Sequence, residues 1–537
     1  MRKSFVFPCV FVLLAFGVAA GAGAESDLTE KGMAGKRSVL AAGFDKQHGP
    51  HSQIECSVTA TAVNTNLDCD DPFPNNEPDL EVDPINPLHL IASSNDFGTC
   101  CDQFYTTFNG GQTWTTGNMS REKPQKIGSD PVTVFDRKHG VAIHSSLSFS
   151  VQHAGGREAC DGDVVVSISR DGGLTWEIPV VVEDGIGCDL SKTQLFDDKE
   201  WIVTDNNPLS RFYGRTYLTW SKFESNGGVY ASSAIWESHS DDGGEHWSKP
   251  QEISGSNAAL CTFQETGPAN ECDENQFSVP TVGPDGTVYV AFQNEQNQAL
   301  WEAGEQFDDQ YLLVKSTNGG ATWSSPTFVV GLEDGSRDYP ISVVGRQTLT
   351  GYQVRVNSAG NILASPTTNG KLYLVFSDNR NGVHDSASPV TNVDTFLMTS
   401  SNGGGSWDAP IRVDSGAGDQ WFPWVEFNPA NGKIGVLYHD RGASNGALYN
   451  TALAEGTPPG ALTKTTVSTA ASNPTDSLFF QAGVPGCEKC ATFHGDYNGI
   501  AYGSDGKANM TWTDMREFVP SGPFGTGFAQ FIFFARK

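Results

Sequence analysis

TFNGGQTW at 107–114 reads as a tight hairpin turn, and four further stretches repeat its pattern: SRDGGLTW at 169–176, SDDGGEHW at 240–247, STNGGATW at 316–323 and SSNGGGSW at 400–407. The common form is Ser/Thr-x-Asp/Asn-x-Gly-x-x-Trp. Adjacent glycines supply the positive φ that a tight turn needs. The Asp or Asn side chain is placed to bond backbone N–H groups within the turn, and the Trp to pack beneath it. Successive tryptophans, from Trp114 to Trp407, lie 62, 71, 76 and 84 residues apart. That period suits one four-stranded sheet with its loops and is too long for a solenoid repeat.

Between these turns the chain repeats a grammar of short β-prone runs bounded by Gly, Pro, Asn and Asp, with little helical periodicity. Seven units are readable, at about 77–125, 129–190, 196–255, 276–332, 342–415, 419–470 and 492–537. The alternative is six, with one degenerate unit. The sixth and seventh lack the turn motif, and the seventh stops after FAQFIFFAR, one strand short. A ring must close or leave an exposed edge. The run Cys56–Asn64 (CSVTATAVN) is therefore expected to supply the missing outer strand.

The motif resembles the Asp-box (BNR repeat) of sialidase-like β-propellers, and residues 75–530 resemble secreted bacterial proteins of that group through their NEP, DKEW and GDY segments. The resemblance implies an all-β propeller with the boxes opposite the functional face. It also implies action on extracellular carbohydrate, as a glycoside hydrolase or lyase, or else a non-catalytic glycan- or protein-binding role. Sialidases open with an arginine-bearing Phe/Tyr-Arg-Ile-Pro segment. Here the equivalent place holds Asn76-Glu77-Pro78, which argues against a true exo-sialidase.

Composition bounds the rest. Arg2 and Lys3, the apolar run Phe5–Ala20 and Ala22-Gly23-Ala24 read as an export signal over 1–24. A flexible leader is expected over 25–50 and one domain over 51–537. The expected state is a secreted monomer without membrane insertion. A net charge of −29 argues against nucleic acid and anionic membrane as partners. Cys9 falls within the signal. The other ten cysteines suit an oxidising compartment, with local pairs expected at Cys56–Cys69, Cys160–Cys188, Cys261–Cys272 and Cys487–Cys490, and Cys100–Cys101 vicinal or exchanged.

Candidate chemistry falls in two groups. The starts of the first strands bring Glu77, Asp130, Glu200, Gln276, Trp421 and the Asp496-Tyr497 pair toward one face. Glycosidases work with paired acidic groups, and sialidases with a glutamate-assisted tyrosine and an acid/base aspartate. By that resemblance Tyr497, with Glu77 or Glu426, and Asp496 or Asp130 are the catalytic candidates. The second group is Asp378-Asn379-Arg380, Asp440-Arg441 and Asp514-Met515-Arg516, which recur after second strands. Arg380, Arg441 and Arg516 are either carboxylate ligands for a substrate or members of a repeated ion pair that pins each loop. Trp421 and Trp424 are candidate sugar-stacking rings. Acidic clusters at 68–71, 161–163 and 272–275 are candidates for Ca²⁺. Cys487-x-x-Cys490 with His494 has zinc-like spacing, for which a disulfide is the other reading.

Overall fold

The computed structural model describes residues 51–537 except 70–73, 97–101, 124–125, 152–158, 190, 228, 263–269, 298–308, 336, 342–346, 353, 443–445, 479–491 and 522–524. The export-signal and leader segments, Cys100–Cys101 and Cys487–Cys490 therefore lie outside the described residues. Among the described residues the fold is all-β, without a helix.

One four-stranded antiparallel meander recurs. The first sheet runs Asn75–Val82, Leu90–Asp96, Asp102–Thr107 and Thr113–Asn118. The second runs Ile127–Asp136, Val141–Val151, Ala159–Ser169 and Val180–Glu183, and the third Thr193–Thr204, Thr216–Asn226, Val229–Ser240 and Gln251–Glu252. A single parallel bridge, Phe196 to Gly162, joins these two. The fourth holds Asn275–Val282, Val288–Asn294, Asp309–Ser316 and Thr327–Leu332. The fifth holds Ile362–Ala364, Leu372–Asp378, Asp394–Ser400 and Ile411–Arg412. Gln420–Phe427, Ile434–Asp440, Asn450–Gly456 and Thr463–Thr466 make the sixth. The seventh is built from Gly499–Tyr502, Ala508–Asp514 and Phe531–Arg536. The first strand of each sheet packs against the first strand of the next, and Gly499–Tyr502 packs back against Asn75–Val82.

The N-terminal segment behaves differently from the expectation. Gln53–Thr59 pairs not with the last sheet but with Thr113–Asn118, as a fifth strand on the first sheet. The outer strand of the seventh sheet is Thr65–Asn66, paired with Phe533 and Phe534. Burial decides the difference. Gln53–Thr59 is largely exposed and suits an open edge, whereas the stretch after Asn64 carries Leu67, which is fully buried against Ile532 and Phe534. Asp68 locks the join, its Oδ2 accepting the Ile532 N–H at 2.8 Å.

The five repeated turns share one hydrogen-bond scheme. In SRDGGLTW the Ser169 hydroxyl donates to Asp171 Oδ1 (2.9 Å) and accepts the Gly173 N–H (2.8 Å), while Asp171 Oδ1 accepts the Thr175 N–H (2.9 Å). The turns at Thr107, Ser240, Ser316 and Ser400 make the same three bonds. Trp114 and Trp176 are buried beneath their turns, and Trp247 Nε1 donates to Gly244 O at 3.0 Å.

Each turn also rests on the preceding sheet. Gly173 faces Ile91 of the first sheet and Gly404 faces Leu313 of the fourth, while Gly111 faces Phe534 of the seventh. The first turn thus seats the first sheet on the last. Gly111 has φ +87°, and a Cβ there would run into the Phe534 ring. Gly111→Ala is expected to cost about 1–3 kcal/mol through overpacking and an unfavourable φ, read as a lower denaturation midpoint. An unchanged midpoint would show that the seam tolerates separation.

Three of the expected disulfides are present, Cys56–Cys69, Cys160–Cys188 and Cys261–Cys272.

Candidate functional site

Five of the first strands share a local defect. Their pairing registers shift between Asn76 and Asp79, Ser129 and Val132, Asp198 and Trp201, Gln276 and Val279, and Trp421 and Trp424. At the same step of each bulge a non-glycine residue takes positive φ: Glu77 (56°), Asp130 (57°), Lys199 (50°), Phe277 (54°) and Phe422 (52°). Such conformations cost about 1–3 kcal/mol each and persist where surrounding structure enforces them. Bulges also re-aim side chains. The residues re-aimed include Lys199, Phe277 and Phe422, each one position away from the Glu200, Gln276 and Trp421 expected from the sequence.

Glu77, Asp130 and Lys199 meet. Lys199 Nζ lies 2.9 Å from Glu77 Oε1, 2.9 Å from Asp130 Oδ2 and 3.2 Å from Asp496 Oδ2. An ammonium has three N–H donors, and the three carboxylates can occupy all of them. The Tyr497 ring centroid is 5.3 Å and the Phe277 ring centroid 5.7 Å from the same nitrogen. Four of the five catalytic candidates, Glu77, Asp130, Asp496 and Tyr497, therefore surround a lysine that was not among them, and Glu426 lies elsewhere.

The cluster is held from several sheets. Asn95 Nδ2 donates to Glu77 Oε2 at 2.6 Å, and its Oδ1 accepts the Asp130 N–H at 2.6 Å. The Asp496 N–H donates to Glu77 Oε1 at 3.1 Å. That approach requires Gly495, whose φ is +92° and whose Cβ, if present, would lie 2.8 Å from Glu77 Cγ. The long connection between the fourth and fifth sheets adds Arg355 and Asn357, at 3.3 and 2.7 Å from the Asp496 carboxylate. Trp201 packs tilted against Trp424 at 4.5 Å and meets Tyr497 edge-on at 5.1 Å, so residues of the third and sixth sheets and of the stretch leading into the seventh join in one aromatic group.

Burial sets the protonation states. Desolvation, reinforced by the charges of Asp130 and Asp496 against that of Lys199, pushes Glu77 up to about 8. It carries a proton through most of the neutral range. Burial alone would lower Lys199, but Asp130, Glu77 and Asp496 outweigh it and hold the ammonium well above its usual value. Burial and then the charge of Asp130 raise Glu200 well above a normal carboxyl, and burial raises Asp198 to about 6. Tyr497 is raised by burial and by the Glu77 and Asp130 charges, and its hydroxyl has no hydrogen-bond partner among the described residues. Half-buried Ser129 and Phe277 border the group.

The other candidates are placed elsewhere. Arg380 closes on Asp378 (Nε 2.8 Å, Nη2 2.6 Å) and Arg516 on Asp514 with the same two contacts at the same distances. Arg441 pairs with Asp419 at 2.6 Å and stacks on Tyr352 at 3.7 Å. Each guanidinium is thus engaged by an aspartate of its own neighbourhood. Trp421 is fully buried, its Nε1 donating to His494 at 3.2 Å, so it offers no ring face to solvent. Glu426 lies beside Glu81 rather than Tyr497, and burial raises it to about 7. Of the acidic runs considered for Ca²⁺, Asp161 and Asp163 hold Lys126 (2.9 and 2.7 Å), and Asp68 accepts from Tyr105 and Ile532.

Lys199 and Arg355 are not among the residues singled out from the sequence, nor are Asn95, Phe277 and Asn357. For Lys199 the signal was present, because NEPD, SDPV and DKEW align Glu77, Asp130 and Lys199 at one register. Nothing comparable marks Arg355.

No protein-family model matches the chain, and no curated protein matches it. Among solved structures it is similar to a protein of unknown function from Dyadobacter fermentans, at 11% identity and TM-score 0.43, over 76% of this chain and 95% of that one. It is also similar to the NanB sialidase of Streptococcus pneumoniae, at 8% identity and TM-score 0.40, over 93% and 96%. A Penicillium chrysogenum α-L-arabinanase follows at 11% identity and TM-score 0.40, over 89% and 98%. At that level no residue of this chain is matched to a functional residue of theirs.

Proposed function

We propose that this chain is a secreted, monomeric, sialidase-like β-propeller of seven blades, sealed by Thr65–Asn66, that acts on extracellular carbohydrate as a glycoside hydrolase or lyase. The observation that carries the reading is the convergence of Glu77, Asp130, Asp496 and Tyr497 on Lys199, at strained bulges of the first strands.

The chemistry follows from the protonation states. Glu77 is a proton donor at neutral pH. Oxygens of Glu77 and Asp130 each lie 2.9 Å from one nitrogen, hence no more than twice that from each other. Carboxyls about 5–5.5 Å apart suit a retaining mechanism, in which one acts as acid and the other attacks the sugar carbon. Asp130 takes the second role, Lys199 orients both, and Asp496 and Tyr497 complete the wall. In this reading Arg380, Arg441 and Arg516 pin loops rather than bind a substrate carboxylate. A binding propeller is the second reading, favoured by the complete occupation of the Lys199 donors.

Protein starting at Glu25, assayed on sialylated and uronate-containing glycans, is expected to release new reducing ends, or unsaturated uronate if it is a lyase. Tyr497→Phe is expected to reduce that release, and Arg380→Ala to leave it largely intact in folded protein. Silence from folded wild-type protein across the panel would move the assignment to a binding propeller.

A further inference from the structure

A second cluster lies away from the central group, where the connection leaving the fourth sheet meets the fifth. Glu333 and Asp338 sit on that connection, and His384 on the loop after Leu372–Asp378. One ligand atom from each lies within 4.8 Å of the others. His384 Nδ1 is in direct contact with Asp338 Oδ1 and 3.6 Å from Glu333 Oε2. We propose that Glu333, Asp338 and His384 form a binding site for one divalent transition-metal ion of the zinc type.

Three features support it. First, the donor set is mixed: two carboxylates and an imidazole suit zinc or a neighbouring first-row metal, whereas calcium takes oxygen alone. An ion about 2.0–2.2 Å from each atom would bring the ligands ~3–4 Å apart, a small closure from the present spread. Three protein ligands leave a fourth position for water.

Second, the ligands are held by bonds that leave donor atoms free to converge. The Glu333 N–H donates to Asp378 Oδ2 (3.1 Å) and its carbonyl accepts the Asn379 N–H (3.0 Å). Asn379 Nδ2 donates to the Asp338 carbonyl, and the Gly335 N–H to Asp338 Oδ2 (3.0 Å). The Asp385 N–H, next to His384, donates to the Arg337 carbonyl at 2.9 Å. Such outer bonds fix ligand direction in metal sites.

Third, the charge is unbalanced. Glu333, Asp334, Asp338 and Asp378 share this corner, and Arg380 is committed to Asp378. Asp334 is buried, and its Oδ2 accepts from Gln293 Nε2 at 3.0 Å. The same connection carries Arg355 and Asn357 to Asp496, so a bound ion would brace the segment that completes the central cluster.

The test is calorimetric titration of chelator-treated full protein with ZnCl₂ and, separately, CaCl₂. One saturable Zn²⁺ per chain is expected. His384→Ala and His384→Gln should each weaken it at least ~100-fold, beyond the 10–100-fold typical of an outer-shell change, and Glu333→Gln should weaken it likewise. Glu245→Gln, a change at an exposed carboxylate of the third repeated turn, should leave it unaltered. His384 is exposed, so its variants should match metal-free wild type in thermal unfolding. Absence of saturable Zn²⁺ binding overturns the proposal. So does binding that survives both His384 variants, or a Ca²⁺ site indifferent to them.

Discussion

Lys199→Met is expected to lower stability at pH 7 by about 3–5 kcal/mol, the cost of leaving buried charge without its partner. The lysine bridges Glu77, Asp130 and Asp496, which come from the first, second and seventh sheets. Methionine keeps the volume of the stem and removes only the ammonium, so the loss reports electrostatics rather than a cavity. Lys199 is held above its usual value, so its contribution is fully present below about 10.5 and is lost only as pH rises through the still higher folded value. Between pH 5 and 8 the lysine itself therefore contributes no slope. The carboxylates do. As pH falls, the orphaned acids of the variant take up protons, and its deficit against wild type should shrink. Adding Asp130→Asn to Lys199→Met removes one orphaned carboxylate and should recover part of the loss. Denaturant midpoints at pH 7 and 5 decide the matter, and a deficit independent of pH would mean that the lysine acts through packing.

Glu77→Gln alone should separate chemistry from folding. If Glu77 is the proton donor, turnover of whichever glycan proves active should fall by about 10²–10⁴-fold, the range supplied by a positioned acid. Stability should hold, because glutamine can still accept the Asp496 N–H and can stand in for a carboxyl that is mostly protonated at neutral pH. Glu77 rises from 4.5 to about 8 on folding. The stability linked to its proton is complete below about 4.5 and lost as pH rises through about 8. Glu77→Gln should lack that decline and gain on wild type in alkaline solution. Wild-type activity should likewise fall above about pH 8. Unchanged turnover in the variant would remove Glu77 from the acid role and leave the neighbouring buried Glu200 as the next candidate.

The parts legible in the sequence were those whose physics is local. The turn motif contains its whole hydrogen-bond scheme within seven residues, from Ser169 to Thr175 in the second copy. Cys160–Cys188 closes a loop within the second repeat, and Cys261–Cys272 a short loop in the connection between the third and fourth. The candidate site was legible in outline, since Glu77, Asp130, Asp496 and Tyr497 do meet. Its centre was missed because two-residue alternation loses count at a bulge. Glu200 looks inward by counting, but the positive φ at Lys199 turns the lysine toward the carboxylates instead. For the arginine series the sequence left two readings open, a substrate carboxylate or a repeated ion pair. Asp378-Asn379-Arg380 and Asp514-Met515-Arg516 recur because each arginine can fold back on the aspartate two positions earlier, a self-contained arrangement that needs no ligand.

The sequence alone determined the strand grammar, the turns and three of the disulfides, because each depends on residues close along the chain. Only the tertiary structure decided what comes from distant sheets. It placed Thr65–Asn66 rather than Cys56–Asn64 against the last sheet, because that pairing lets Leu67 be buried. It buried Trp421 among His439, Tyr449 and His494. It also gathered three acids, drawn from positions as far apart as 77 and 496, around one lysine, where mutual charge and loss of water set their protonation. Burial and charge are properties of neighbours in space, and sequence spacing does not carry them.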